Sequence, residues 1–121
     1  MLKKCLKCGA IVEVLKDCTC ENCGIKCCGE PMKEVKANSV DASFEKHIPT
    51  YEVVGEYVVV CVNHVMEQEH YIEYISLESD KINAKNFFMA GETAKAIFPY
   101  VKGSKLSSFC NKHGLWQIEV K

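Results

Sequence analysis

Arginine is absent: all fifteen basic residues of this 121-residue chain are lysines. The guanidinium fork that grips phosphates and guanine edges is therefore missing, which counts against nucleic-acid binding. An excess of either charge is missing too, the formal net charge being −1. Residues 1–36 hold seven lysines and five carboxylates, and residues 37–121 hold eight and eleven. Neither part makes a polyanion-binding surface. No apolar run approaches the roughly 18–20 residues that cross a bilayer. The start, Met1-Leu2-Lys3-Lys4-Cys5, has no apolar stretch of signal-peptide type behind its lysines. A soluble, cytoplasmic protein is expected. With 48% hydrophobic and 26% charged residues the chain can build a core. Its length allows one ordinary domain, or a small module joined to a larger one.

What the chain has in abundance is cysteine. Seven of nine lie in the first 28 residues: Cys5, Cys8, Cys18, Cys20, Cys23, Cys27 and Cys28. Without an export signal, such a cluster reads as metal binding rather than as a disulfide framework. Adjacent Cys27-Cys28 and the pair Cys18-x-Cys20 are also awkward for several simultaneous bridges. Three wirings compete. One joins Cys5-x-x-Cys8-Gly9 to Cys27-Cys28-Gly29 around one tetrahedral metal. A second pairs the two Cys-x-x-Cys-Gly elements, Cys5/Cys8 and Cys20/Cys23, as a zinc ribbon, and spacing alone favours it. The third, Cys18-x-Cys20-x-x-Cys23-x-x-x-Cys27, is close to iron–sulfur spacings and suggests a four-iron, four-sulfur cluster.

Cysteine density drops after Cys28, and Gly29-Glu30-Pro31 is a turn signal. We place a small module at 1–36, too short for a hydrophobic core of its own and so dependent on a metal, and a larger domain at 37–121. The larger part reads as strands. Tyr51-Glu52-Val53-Val54 and the valine run 57–62 flank Gly55-Glu56, a hairpin signal. Residues 70–77 are rich in Tyr and Ile, and 116–121 alternate apolar and polar. Only 92–97 hints at helix. Cys61, inside the valine run, reads as an ordinary buried thiol. Six or seven short strands suggest an all-β sandwich.

The chain has four histidines, His47, His64, His70 and His113. His113 closes Cys110-Asn111-Lys112-His113-Gly114, a Cys-x-x-His pair able to offer a thiolate and an imidazole from one loop. A thiolate with several imidazoles suits zinc, copper or iron. Zinc stops at four ligands, so five candidates point to a larger coordination number and to iron.

These residues resemble a known family. Cys5-Leu6-Lys7-Cys8-Gly9 with Cys27-Cys28-Gly29-Glu30-Pro31-Met32-Lys33 is similar to the desulforedoxin-like module of desulfoferrodoxins. Glu45-Lys46-His47-Ile48-Pro49, His64-x-Met66-Glu67-x-x-His70-Tyr71-Ile72 and Cys110-Asn111-Lys112-His113-Gly114-Leu115-Trp116 resemble that family's superoxide reductase (neelaredoxin-like) domain. The match covers nearly the whole chain in the family's order and spacing.

The resemblance implies a mainly β fold, a metal-organised N-terminal module followed by a seven-stranded, immunoglobulin-like β-sandwich. It implies one non-haem iron held by His47, His64, His70 and His113 in a plane with Cys110 as axial ligand, the sixth position facing solvent. The activity it implies is one-electron reduction of superoxide to hydrogen peroxide without oxygen release. The axial thiolate would push charge toward the opposite position. Lys46 would draw in the anion and steady the reduced product. Glu45 resembles the carboxylate that occupies the sixth position in the ferric resting state. A rubredoxin-like electron donor and a homodimer are the family's usual partners.

For the N-terminal centre, the match at both ends favours one iron on Cys5, Cys8, Cys27 and Cys28, serving as an electron relay or store. A four-iron cluster recruiting Cys18, Cys20 and Cys23, or zinc on Cys5, Cys8, Cys20 and Cys23, are its alternatives. Departures from the family are Val65 for a proline, Tyr71 and Tyr74 for tryptophans, and the three extra cysteines between residues 18 and 23. The competing functions are a zinc-ribbon and β-sandwich binding adaptor, and an electron carrier with a vestigial histidine site.

Overall fold

Strands of two or three residues are all that the cysteine-rich segment sustains. In the computed structural model, which describes residues 1–39 and 46–121, they are β1 (Leu2–Lys4), β2 (Ile11–Glu13), β3 (Lys26–Cys27), β4 (Glu30–Pro31) and β5 (Lys33–Glu34). β1 lies between β2 and β5, antiparallel to both, and β3 pairs with β4. The turn falls on Cys28-Gly29, one residue ahead of the expected Gly29-Glu30-Pro31, because Glu30 and Pro31 already pair with Cys27 and Lys26. Cys28 and Gly29 have φ of 54° and 76°, the two positive values of a type I′ hairpin turn. Among the described residues of this segment only Leu2, Cys5 and Met32 are buried apolar side chains. The chain divides into two compact units, Met1–Lys36 and Ala37–Lys121.

Alternation of side chains along extended backbone organises the second unit. Its strands are β6 (Thr50–Val54), β7 (Tyr57–Cys61), β8 (Ile72–Glu78), β9 (Asn83–Phe87), β10 (Lys95–Pro99), β11 (Lys105–Cys110) and β12 (Gly114–Glu119). One sheet runs β10-β7-β6 and the other β12-β11-β8-β9, every ladder antiparallel. Val58, Val60, Ile72, Ile75, Leu77 and Leu106 are fully buried and form one cluster with Ala94, Ala96, Phe98 and Cys110. Burying each of the larger aliphatics is worth about 1.5–3 kcal/mol. Seven strands in two sheets around one core make the expected β-sandwich.

Two local expectations are corrected. Residues 92–97 are not helical: Lys95–Pro99 is a strand, with Ala96 opposite Val60 and Phe98 opposite Val58. The period-2 burial of Ala94, Ala96 and Phe98 against β7 outweighs the local helix tendency. Cys61 is half-buried rather than buried, because alternation gives the inward places to Val60 and Val62.

One irregularity serves the site. Phe109 faces Tyr74 across the β11–β8 ladder, yet the next residue, Cys110, faces Ile72, leaving Glu73 as an extra residue on β8. Such a bulge re-aims side chains where a ladder ends, and here it lies beside Cys110, which is completely buried.

Candidate metal centres

Four chain segments deliver the histidines and one cysteine. His47 lies just before β6, His64 and His70 lie in the β7–β8 connection, Cys110 ends β11, and His113 sits in the turn to β12. Their ligand atoms all lie within 4.8 Å of one another. Adjacent ring centroids are 4.7 Å apart for His47 and His64, 4.6 Å for His64 and His70, 5.0 Å for His70 and His113 and 4.8 Å for His113 and His47. The His47–His70 diagonal is 6.5 Å. Adjacent planes are steeply inclined, by 67° to 89°. The four rings thus form a square of edge-on imidazoles.

Ring nitrogens turn inward in a consistent way. His47 Nε2 and His113 Nδ1 are 2.9 Å apart, and His64 Nε2 lies 3.5 Å and His113 Nδ1 3.8 Å from Cys110 Sγ. His70 Nε2 is buried and has no hydrogen-bond partner among the described residues, an orphan that a metal bond would satisfy. Adjacent nitrogens on a square of metal–nitrogen bonds of about 2.1 Å lie about 3.0 Å apart, so the His47–His113 distance fits a shared metal. Burial, with smaller contributions from neighbouring rings, holds His64 and His113 below the ordinary imidazole value, which keeps their lone pairs available for a cation. Four imidazoles and one thiolate exceed the four donors of a tetrahedral zinc site and suit iron.

A supporting layer holds these donors, and its members had no assigned role from sequence. Trp116, 2% exposed, stacks on His47 with centroids 4.9 Å apart, and its indole N–H donates to the His113 carbonyl at 3.2 Å. Buried Ser108 donates from Oγ to the His47 carbonyl at 2.6 Å. Asn111 clips two loops together: its Oδ1 accepts from Tyr71 N–H at 3.0 Å and its Nδ2 donates to the Glu69 carbonyl at 2.9 Å. His64 uses its other nitrogen, Nδ1, on the Val65 carbonyl, which fixes the ring's tautomer. Asn111 and Trp116 flank His113 in the motif, and that adjacency was the one signal available.

Lys46, Asn63, Val65 and Glu67 join His47, His64 and His70 around an open depression of about 460 Å³. Lys46 is exposed at its edge. Glu45 lies outside the described residues.

In the N-terminal unit, Cys5, Cys8, Cys27 and Cys28 gather. Cys8 Sγ is 3.6 Å from Cys27 Sγ, and Cys27 Sγ is 3.9 Å from Cys28 Sγ. A tetrahedron of metal–sulfur bonds of about 2.3 Å has edges of about 3.8 Å, so the four thiols fit one metal. The N–H of Cys8 points at Cys5 Sγ from 3.5 Å and pulls the Cys5 thiol down to about 7. Hydrogen bonds with Cys8 and then Cys5 push Cys27 up to about 12, and Cys28 is raised as well, first by Cys8. A cation among the four sulfurs would favour loss of the protons that Cys27 and Cys28 otherwise hold.

The other wirings are not formed. Cys20 and Cys23 are bonded to each other as a disulfide, so the zinc-ribbon set Cys5, Cys8, Cys20 and Cys23 does not assemble. Cys18 is a free, exposed thiol, and the set of four thiols includes none of Cys18, Cys20 and Cys23. The type I′ turn at Cys28-Gly29 folds Cys27 and Cys28 toward Cys5 and Cys8.

Fold and donors together define a class: a β-sandwich metalloprotein with a five-donor histidine–cysteine centre and a separate four-thiol site. The chain matches the desulfoferrodoxin family over residues 39–119, and it belongs to that family. It is 38% identical over 120 residues to the desulfoferrodoxin of Syntrophotalea carbinolica, covering 96% of this chain and 93% of that protein. To the desulfoferrodoxin of Nitratidesulfovibrio vulgaris it is 39% identical over 122 residues, covering 97% and 94%. Its structure is similar to the crystal structure of the superoxide reductase from Treponema pallidum, with a TM-score of 0.71, 27% identity and coverage of 98% and 99% of the two chains.

Proposed function

We propose that this chain is a superoxide reductase, an oxidoreductase that reduces superoxide to hydrogen peroxide. The observation that carries the reading is the square of His47, His64, His70 and His113 with the Cys110 sulfur beside it, bordering the depression that Lys46 edges. Family membership and the similarity to a superoxide reductase support it. These five residues would hold ferrous iron, which when bound would supply the single electron that superoxide takes up.

The chain's own residues provide what surrounds that electron transfer. The four imidazoles would hold the cation without cancelling its charge, and Cys110, bound as a thiolate, would raise electron density at the centre. Lys46 brings positive charge to the mouth and raises the encounter rate with an anion. Glu45 is proposed, on the family resemblance alone, as a carboxylate that would bind the iron at rest. Cys5, Cys8, Cys27 and Cys28 would hold a second iron, proposed as an electron relay or store.

We further propose a rubredoxin-like donor, on the family resemblance. A reducing compartment such as the cytoplasm suits four metal-binding thiols, and among the described residues no helix is long and apolar enough to cross a membrane. A homodimer is supported by the outward face of β10-β7-β6, where Val54, Tyr57 and Ile97 are all more than half exposed.

The test uses protein purified without oxygen, with iron, zinc and acid-labile sulfide measured per chain. Two irons and no sulfide are expected. Superoxide pulses should then oxidise the histidine-bound iron stoichiometrically and yield peroxide without oxygen. His47→Ala should lose the iron or the rate, and an unchanged rate overturns the assignment.

A further inference from the structure

We infer that Cys20 and Cys23 form a further redox site apart from both metal centres, a reversible dithiol–disulfide couple that exchanges electron pairs with a thiol reductant. The inference is independent of the superoxide reading. It starts from cysteines that neither metal centre uses: the four-thiol set leaves out Cys18, Cys20 and Cys23, while Cys20 and Cys23 are joined by a disulfide.

Three features separate this bridge from a structural one. First, it closes a sequence separation of only 3, and the entropy a crosslink removes from the unfolded chain grows with the loop it closes. It therefore adds little stability to a module already organised by four other thiols. Second, it is accessible. Every residue from Cys18 to Lys26 is exposed, so an attacking thiolate can reach either sulfur, whereas buried bridges resist exchange. Third, it joins no paired strands: Cys20 and Cys23 lie in the irregular segment between β2 and β3, so opening it breaks no ladder. Cys18, free and exposed two positions upstream, places a third thiol beside the pair.

The chemistry balances with a dithiol as reductant. Its thiolate attacks one sulfur of the bridge, the Cys20–Cys23 bond breaks, a mixed disulfide forms, and the released thiolate takes a proton. The second thiol of the reductant then attacks the mixed disulfide. The reductant leaves as a disulfide, and Cys20 and Cys23 are left as two thiols, having gained two electrons and two protons. The reverse sequence passes the electron pair to a disulfide.

The test uses the full-length, metal-loaded protein equilibrated without oxygen in a series of reduced and oxidised glutathione ratios, with dithiothreitol as the dithiol arm. Thiols are trapped by alkylation and located by peptide mass. Cys20 and Cys23 are expected to pass together from unlabelled to labelled across the series, with iron content and iron absorption unchanged. Cys18→Ser should keep that two-site transition, and Cys20→Ser with Cys23→Ser should abolish it while leaving both irons in place. Four results overturn the inference. They are a bridge that dithiothreitol does not open, a pair that stays reduced in oxidised glutathione, opening that releases the N-terminal iron, and a reduced Cys18–Cys20–Cys23 trio that takes up zinc or iron and becomes protected from alkylation.

Discussion

Cys5 and Cys110 begin the same turn in two different settings. In each, the backbone N–H three residues on points back at the sulfur, from Cys8 at 3.5 Å and from His113 at 3.4 Å. A glycine with φ of 79° follows both, Gly9 and Gly114, taking a left-handed conformation that costs a side-chain-bearing residue far more. What surrounds the turns differs. Around Cys5 the strands are two or three residues long and three apolar side chains are buried. Around Cys110 a twelve-residue cluster of buried side chains exists without any help from a metal. The cation is thus architecture in the first unit and equipment in the second. The donors follow the same division. Four thiolates from two short turns can close around a cation, whereas imidazoles from separate segments can be held in place by a core.

That comparison is broken most sharply by removing the matching cysteine from each turn. Cys5→Ser should release the N-terminal metal and unfold residues 1–36 while the sandwich stays folded. Cys110→Ser should leave both units folded and lower superoxide reduction by at least about 100-fold, since a lost ligand costs more than a lost outer partner. Metal analysis with limited proteolysis separates the two results, and unfolding of the sandwich in Cys110→Ser would contradict the division.

Trp116 comes next. Trp116→Leu removes the ring on His47, the hydrogen bond to the His113 carbonyl and buried volume, and should cost about 3 kcal/mol of sandwich stability with weaker iron retention. Trp116→Phe keeps a ring and should cost about 1 kcal/mol, the price of the hydrogen bond. Denaturant unfolding with and without iron reads both. If the two variants behaved alike, the stacking on His47 would be irrelevant.

Acid should act on the histidine side through a known sign. His64 and His113 titrate below their ordinary value of 6.5 when folded, so the unfolded chain binds protons first as the pH falls. The stability this contributes to the metal-free protein is fully present above about 6.5 and drains as the pH falls through it toward the folded values. Thermal unfolding of metal-free protein between pH 8 and 5 checks this, and a midpoint that rises on acidification would reverse the assignment. The smallest effect is expected for Lys46→Ala, which should slow the encounter with superoxide by a factor on the order of three at low salt and by almost nothing at high salt. Stopped-flow rates across ionic strength measure it.

Much of this was legible before any coordinates. The Gly55-Glu56 hairpin, the strand at the valine run 57–62 and the five donors of the histidine–cysteine centre follow from spacing and residue type, supported by the family resemblance. The failures share a cause. Residues 92–97 read as helix because local propensity ignores the ladder that Ala96 and Phe98 enter with β7. Cys28 gave no sign of its positive φ, since a cysteine there is tolerated only where the turn and its thiol partners compel it. Trp116 and Asn111 stood inside a motif, yet their hydrogen bonds reach His113, Tyr71 and Glu69 through space.

By itself the sequence determined which donor atoms exist, that Cys110 and His113 share one turn, and that the second unit is built of strands. These are properties of neighbours along a chain, where spacing and period act. Only the tertiary structure decided which two of the N-terminal cysteine groups meet, because Cys5-x-x-Cys8-Gly9 and Cys20-x-x-Cys23-Gly24 are equivalent as text. The short β3–β4 hairpin brings Cys27 and Cys28 to Cys5 and Cys8, and the sandwich carries His47 to within 2.9 Å of His113 across a sequence separation of 66. Convergence over such distances depends on packing and turn conformation, which local spacing does not record.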